Sequence, residues 1–170
     1  MDEGFYLAVG RSNRDYAFLM DYFASRPDRR LVVLCDAPDV RSVRPNVTVV
    51  HNAFGSAYFD YLSRCHAVIL VFKDPTVSAG QLVFLQAMQF GKPVVATRSQ
   101  CLAGYLENER NGLMCEKTHQ GLDHALERLR EGALYWRLAE AGPADYSRRF
   151  GFEPLARSLL TIIHEAERGE

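Results

Sequence analysis

The sequence lacks several features that would assign it to a particular class of protein. No apolar run comes near the roughly 18 residues that a membrane span needs, and no charged-then-apolar signal segment opens the chain. The 20 Lys and Arg residues nearly balance the 21 Asp and Glu residues, so a general affinity for nucleic acid is not expected. The four cysteines have no CxxC spacing, which argues against a zinc or redox site. These absences predict a cytoplasmic protein with buried, reduced thiols.

The sequence does contain a regular alternation of strand-like and helix-like segments. With 170 residues, 48% of them hydrophobic, the chain is long enough for one domain with its own core. Short apolar runs predict six strands, at 5–9, 31–35, 46–51, 67–72, 93–97 and 112–115. Helical spacing and stop signals predict helices at 15–25, 57–65, 80–90, 102–107, 122–130, 133–141 and 152–167. This pattern indicates a Rossmann-like α/β fold, a three-layer sandwich around a six-stranded parallel sheet.

Parallel sheets of this kind bind ligands beyond the carboxyl ends of their strands, where the strand order reverses. The loops after Val9, Cys35, Phe72 and Thr97 are therefore the expected places for chemistry. The first loop lacks the two further glycines of a dinucleotide-binding fingerprint, although Asp36 stands where that motif has its ribose-binding acid. The P-loop pattern is absent as well. An NAD-dependent oxidoreductase is therefore a poor interpretation.

The loop that starts at Gly10 contains two arginines, Arg11 and Arg14, three residues apart. Guanidinium groups match phosphate oxygens, and the N-terminus of the following helix adds partial positive charge. The two arginines could therefore clamp a phosphate group. The alternative is that both are solvated surface residues and that Asp15 caps the helix.

The loop before the helix at 80–90 consists largely of small residues. At a helix entrance, Ser78 and Gly80 would expose the backbone N–H groups that an anion or a sugar hydroxyl requires. The alternative is an ordinary helix cap by Ser78 with a tight turn at Gly80. Within the helix, Gln86 is either an exposed polar residue or a hydrogen-bonding partner for a ligand hydroxyl. The five histidines show no metal-ligand spacing, and no Ser-His-Asp order occurs, so we expect neither a metal site nor a hydrolase triad.

From Gln86 the sequence reads Gln-Ala-Met-Gln-Phe-Gly-Lys-Pro-Val-Val-Ala-Thr. This segment resembles the C-terminal domain of retaining GT-B glycosyltransferases of the family 4 type, which carry a Glu, seven residues, and then Glu-Ala-Met-Ala-x-Gly-x-Pro-Val-Val-Ala. Val9-Gly10-Arg11 is similar to the Val-Gly-Arg opening of that domain, and residues 109–113 are similar to its Asn-Gly-Leu strand entry. The similarity extends over nearly the whole chain in the same order.

The resemblance implies that residues 1–170 form a single domain that binds a nucleoside diphosphate sugar, UDP- or GDP-linked. Sugar transfer would proceed with retention, to an acceptor in polysaccharide biosynthesis, without a metal or another cofactor. By position, Arg11 and Arg14 would act on the donor diphosphate as the catalytic residues. Gln86 would hold the ribose and Ser78 the transferred sugar. The full set of donor-binding positions is Gly10, Ser78, Gly80, Gln81, Leu82 and Gln86.

The chain departs from the family pattern in two substitutions and in its length. Ser78 and Gln86 replace the two glutamates, and nothing in the chain corresponds to the N-terminal acceptor domain. The resemblance therefore implies a partner half in cis or in trans, with the terminal helix 152–167 lying near it, and a complete enzyme that associates peripherally with membranes. The alternative is a non-catalytic module that shares the fold and has lost or weakened donor binding.

Overall fold

A computed structural model describes residues 2–42 and 44–168 of the chain. All six strands of its single sheet are parallel and lie in the order β3-β2-β1-β4-β5-β6. The strands are β1 (Phe5–Val9), β2 (Arg30–Leu34), β3 (Val47–Val50), β4 (Ala67–Leu70), β5 (Val94–Thr97) and β6 (Leu113–Cys115). The Rossmann-like α/β fold and the six-stranded parallel sheet are therefore confirmed.

In the described residues, six α-helices accompany the sheet, a short 3₁₀ turn, Gln100–Leu102, lies between β5 and β6, and a π-helical turn, Tyr146–Phe150, follows the fifth α-helix. The helices are α1 (Tyr16–Ala24), α2 (Ser56–Arg64), α3 (Gln81–Gln89), α4 (His119–Arg130), α5 (Gly132–Asp145) and α6 (Phe152–Arg168). The predicted helix at 102–107 is wrong. Gly104 has a φ of +80°, a left-handed conformation that ends helical turns.

Helix α5 also differs from its prediction, because it continues through Pro143 to Asp145. The Asp145 carboxylate is buried there and accepts hydrogen bonds from Asn111 (3.2 Å) and Arg110 (3.2 Å). These bonds connect the last turn of α5 to the loop before β6. The helix therefore extends four residues beyond its predicted end at 141, through a proline, which is disfavoured inside helices.

Alternate residues of the central strand point into two separate cores. Tyr6 and Ala8 of β1 belong to the core beneath α1 and α4, whereas Phe5 and Leu7 belong to the core beneath α2 and α3. Both faces of the sheet are therefore covered, which explains the continuous apolar runs. The thiols of Cys35, Cys65 and Cys115 are buried and free, as predicted, and the side chain of Cys101 lies outside the described part.

Helix α6 is unlike the others because no residue in it is buried. One side carries six large apolar side chains, each more than half exposed: Phe152, Leu155, Leu159, Leu160, Ile162 and Ile163. We call this surface the α6 apolar face. Within the described ranges, no helix is long and apolar enough to cross a membrane.

Candidate functional site

The strand order reverses between β1 and β4, which are neighbours at the centre of the sheet. The chain continues from β1 to β2 on one side and from β4 to β5 on the other, so a crevice opens beyond their carboxyl ends. A cavity of about 540 Å³ lies at this point, and we call it the switch-point cavity. Its walls come from the loops after β1, β2 and β3 and from the first turns of α3.

Most of the predicted site residues meet in this cavity. Its lining includes Gly10, Arg11, Arg14, Ser78, Gly80, Leu82 and Gln86. Gln81 is not part of the lining, and its Nε2 donates a hydrogen bond to Ser78 Oγ at 2.8 Å. Among the described residues, none from the loop after Thr97 lines the cavity, although that loop was an expected place for chemistry.

Arg14 is buried under the loop that follows β1, with only 5% of its surface exposed. Its Nε donates to the carbonyl of Val9 and its Nη1 to the carbonyl of Ser12, both at 2.9 Å. Its guanidinium carbon lies 5.4 Å from the ring centre of Phe72, which follows β4. Arg14 therefore joins the ends of the two central strands, and the interpretation of this arginine as a solvated surface residue is wrong.

Two glycines allow this close packing around the Arg14 guanidinium. Gly10 and Gly80 have φ values of +109° and +90°, where a side chain would be strained. A Cβ at Gly10 would lie 3.3 Å from Arg14 Nη2, and one at Gly80 would lie 3.0 Å from the Phe72 ring. Glycine is therefore required at both positions for steric reasons, independently of any ligand.

Arg11 has the opposite character, since it is exposed at the rim of the cavity. Its guanidinium makes no hydrogen bond or ion pair with any described residue. The neighbouring Asp15 caps α1 by accepting from the N–H of Phe18 at 3.1 Å, and it pairs with Lys117 Nζ at 2.6 Å. Asp15 is thus occupied by Lys117 and the backbone of α1, and the exposed Arg11 can pair with an external anion.

The entrance of α3 differs from the Ser78 cap that the sequence suggested. Gly80, in a left-handed conformation, is the N-cap, and no side chain caps the helix. The first N–H groups of a helix point out of its N-terminus and carry partial positive charge. Since Ser78, Gly80 and Leu82 all line the cavity, this helix end contributes positive potential to the same space as Arg11.

Gln86 lines the cavity from the second turn of α3 and is hydrogen-bonded to a residue of α2. Tyr58 of α2 donates its O–H to Gln86 Oε1 at 3.0 Å. Burial raises the pKa of Tyr58 to about 12, so its hydroxyl stays protonated and can donate at neutral pH. With the carbonyl held by Tyr58, the amide N–H groups of Gln86 are left to face a ligand.

Sequence reasoning missed the wall that comes from the loop after β3, because that loop was not among the expected places. Ala53, Phe54 and Gly55 line the cavity, and the Phe54 side chain is 66% exposed. The sequence did contain a turn signal there, because Asn52 and Gly55, two residue types that favour turns, flank the apolar pair Ala53-Phe54. In the structure both take left-handed φ values. A turn that presents an aromatic ring at the carboxyl edge of the sheet provides a flat apolar surface for a ligand.

In the ranges that the structure describes, no group of three or more His, Cys, Asp or Glu side chains could hold a metal ion. The charged chemistry of the switch-point cavity therefore consists of Arg11, Arg14, the end of α3 and one carboxylate, Asp36. The Asp36 carboxylate accepts from the backbone N–H of Asn52 at 2.6 Å. Such an arrangement favours an anion beside Arg11 and hydroxyl or amide groups near Asp36 and Gln86.

Comparison with known proteins identifies the family to which these residues belong. Residues 6–131 match the sequence profile of the family described as glycosyl transferases group 1. The chain belongs to this family. A search of curated proteins found no match.

Solved structures with the same fold are glycosyltransferases of the GT-B type. HepE of Anabaena, crystallised with UDP-glucose, superposes with a TM-score of 0.79 at 17% identity, over 96% of this chain and 49% of HepE. Sucrose-phosphate synthase of Thermosynechococcus elongatus gives 0.80 at 17% identity, over 99% of this chain and 47% of the synthase. The chain thus spans about half the length of these two structurally similar glycosyltransferases.

A third structure is a C-terminal domain crystallised by itself. It belongs to the group 1 glycosyl transferase LpcC of Francisella tularensis, and it superposes with a TM-score of 0.65 at 14% identity, over 89% of each chain. The resemblance to a C-terminal GT-B domain, expected from the sequence, is confirmed by the family match and by the coverage of these folds.

Proposed function

We propose that this group 1 chain is the donor-binding half of a glycosyltransferase, and that residues 1–170 act as one nucleotide-sugar-binding domain. The donor is a nucleoside diphosphate sugar, UDP- or GDP-linked. The observation that carries the proposal is the switch-point cavity, where Arg11, the α3 N-terminus and Gln86 lie in one wall system. Arg11 and the α3 N-terminus suit a diphosphate, and the Gln86 amide suits a ribose hydroxyl. HepE, which shares the fold, is recorded in complex with UDP-glucose.

In this proposal the chain acts by stabilising the departing diphosphate. The bond between the anomeric carbon and the diphosphate oxygen breaks, and the diphosphate leaves with the electron pair. The acceptor oxygen forms its bond to the anomeric carbon on the same face, and the proton of the acceptor hydroxyl passes to the departing diphosphate. Arg11 and the α3 N-terminus face the negative charge that develops, and Arg14 fixes the loop that carries Arg11. In this proposal the arginines supply the positive charge that stabilises the diphosphate, so the transfer needs no metal ion. The retaining outcome is taken from the family resemblance.

The same proposal includes a second half that carries the acceptor, in cis or in trans. The chain spans 49% of HepE and 47% of sucrose-phosphate synthase. The α6 apolar face also lacks a partner within the described residues, and its six side chains would gain from burial. We place the acceptor half against this face. A role in polysaccharide biosynthesis and peripheral attachment to a membrane stay predictions.

The second candidate function is a non-catalytic module that keeps the fold without useful donor binding. The observation in its favour is Ser78, which replaces a family glutamate, has a much shorter side chain and already accepts a bond from Gln81. Arg11 argues against it, since this exposed cation lies at the rim of the cavity without a partner among the described residues. Nucleotide binding therefore decides between the two candidates.

Calorimetric titration of the chain with UDP, GDP, ADP and their glucose or mannose conjugates tests the proposal directly. We expect one nucleotide to bind in the range of about 10 μM to 1 mM, because a half-open cavity leaves the phosphates partly screened by solvent. Chelation with EDTA should leave this affinity unchanged. Absence of binding by every nucleotide at millimolar concentration would favour the non-catalytic module instead.

Replacing Gln86 by glutamate is expected to tighten nucleotide binding about five- to tenfold. The Tyr58 hydroxyl would hold one carboxylate oxygen, and the other would accept a ribose hydroxyl in a charge-assisted bond, which is stronger than a neutral one. The matched control is Gln89→Glu, the same change at an exposed position of the same helix outside the cavity lining. An unchanged or weaker affinity of Gln86→Glu for all nucleotides would place the ribose elsewhere.

A further inference from the structure

The order of the strands places the base of the proposed donor within the switch-point cavity. Arg11 and the N-terminus of α3, which suit the diphosphate, follow β1 and β4 at the centre of the sheet. The next two strands on one side are β2 and β3, and the residues after them, Asp36 and Phe54, line the same cavity. Neighbouring strands lie about 4.8 Å apart, so β3 is roughly 10 Å from β1. This separation leaves room for a ribose between the diphosphate and a base.

Phe54 provides an apolar surface at the base end of the cavity. Its side chain is exposed and belongs to neither of the two cores that flank the sheet. An exposed aromatic ring gains free energy when a base stacks on it and removes apolar area from water. Because every base has a π-face, Phe54 would hold a base without selecting among them.

Asp36 is the group at this end of the cavity that can select a base. It is the one carboxylate among the described residues that line the cavity. Its Oδ1 accepts from the backbone N–H of Asn52 at 2.6 Å, which ties Asp36 to the turn that carries Phe54. Its Oδ2 accepts no hydrogen bond from a described residue, and no described cation pairs with it. A carboxylate only accepts hydrogen bonds, so a base beside Asp36 must donate them.

Guanine meets this requirement better than the other bases of common nucleotide sugars. Its N1–H and its N2 amino group are adjacent donors, and one carboxylate can accept from both. Uracil offers a single N3–H between two carbonyl oxygens, which repel a carboxylate. Adenine offers its amino group beside N1, an acceptor that would face the same carboxylate. The carboxylate therefore favours guanine over uracil and adenine.

We propose that Asp36 makes the switch-point cavity selective for a guanine nucleotide, so that the donor is a GDP-linked sugar. This inference rests on the proposed function and narrows it to one class of donor. UDP and ADP share the diphosphate and ribose contacts, and they still bind, more weakly than GDP.

Calorimetric titration of the chain with GDP, IDP, UDP and ADP tests the inference. IDP, inosine diphosphate, is GDP without the N2 amino group. We expect GDP to bind at least about tenfold more tightly than UDP or ADP, and about fivefold more tightly than IDP, because charge-assisted hydrogen bonds are lost.

Asp36→Asn removes the carboxylate with little change of shape. The amide oxygen can still accept from Asn52, so the turn is kept, whereas the amide nitrogen faces the N1–H of guanine as a second donor. The preference for GDP over UDP should fall to less than about twofold or reverse. Asp39→Asn is the matched control, since it makes the same change in the same loop at an exposed position outside the lining of the switch-point cavity, and it should keep the preference.

Phe54→Ala tests the stacking surface separately. It should weaken binding of GDP and UDP by a similar factor, about tenfold, and leave their ratio unchanged. Because the side chain is exposed, the Tm of the chain should stay nearly the same. Unchanged affinity of Phe54→Ala for both nucleotides would place the base elsewhere and overturn the inference.

The remaining outcomes separate this inference from the proposed function. Equal affinity of the unaltered chain for GDP and UDP, a preference for UDP or ADP, or a GDP preference that persists in Asp36→Asn would overturn the assignment to guanine. In each of these cases the nucleotide binding itself would still support the donor site. Absence of binding by all four nucleotides at millimolar concentration would overturn the proposed function, and the guanine assignment with it.

Discussion

Replacing Arg14 by alanine is expected to lower the free energy of unfolding by about 3 kcal/mol, since two hydrogen bonds from a buried charged group are lost. In a chain of this size the loss corresponds to a fall in Tm of about 6–12 °C. Nucleotide binding, measured below the lowered Tm, should weaken by at most about tenfold, the loss expected for removing Arg11 itself, because the loop that carries Arg11 is no longer fixed. Thermal denaturation and calorimetric titration with UDP measure the two effects separately.

Arg11→Ala is the matched control, because it removes the same side chain from the same loop. Arg11 is exposed and has no partner among the described residues, so its loss should change stability by less than about 0.5 kcal/mol. Binding of UDP should still weaken about tenfold through the lost phosphate contact. Normal UDP affinity in both variants would show that the diphosphate lies away from this loop. An unchanged Tm in Arg14→Ala would show that its contacts to Val9 and Ser12 contribute little.

The two arginines also show how far sequence reasoning reaches. A pair of guanidinium groups between a strand and a helix predicted a phosphate clamp, and both do line the same cavity. The sequence contains nothing that distinguishes them, because both are arginines in the same short polar loop. The distinction arises from tertiary structure: Phe72 and Gly80, far along the chain, form the enclosed space that buries Arg14. Arg14 therefore holds the loop in place and Arg11 is the exposed group.

The central strands were predictable because buried parallel strands need continuous apolar runs, and β1 and β4 show them. The absence of the helix expected at 102–107 was not predictable in this way, because the apolar spacing there indicates a helix while Gly104 takes a left-handed conformation that ends it. The partner of Gln86 was hidden for a different reason. Tyr58 lies 28 residues away in the sequence, and only the packing of α2 against α3 brings its hydroxyl within 3.0 Å. Such pairs across helices have no local sequence signal.

The α6 apolar face leads to the second prediction of large effect, which concerns transfer itself. The chain alone, supplied with a donor sugar and an acceptor, is expected to transfer no sugar and at most to hydrolyse the donor slowly. An acceptor that is not held beside the anomeric carbon loses the benefit of proximity. Supplying a candidate N-terminal half, fused or mixed, should raise the transfer rate at least a thousandfold, measured by mass spectrometry of the glycosylated acceptor.

The completed enzyme then tests the docking of the second half on α6. Leu159→Asp places a charge in the middle of the α6 apolar face and should abolish the restored transfer, because burying an unpaired carboxylate is costly. Ser158→Asp, one residue away and on the polar side of the helix, is the matched control and should keep it. Leu159 is 51% exposed in the chain alone, so neither change should lower the Tm of that chain appreciably. Efficient transfer by the chain alone would instead mean that it already contains an acceptor site, and full activity of Leu159→Asp would place the second half on another surface.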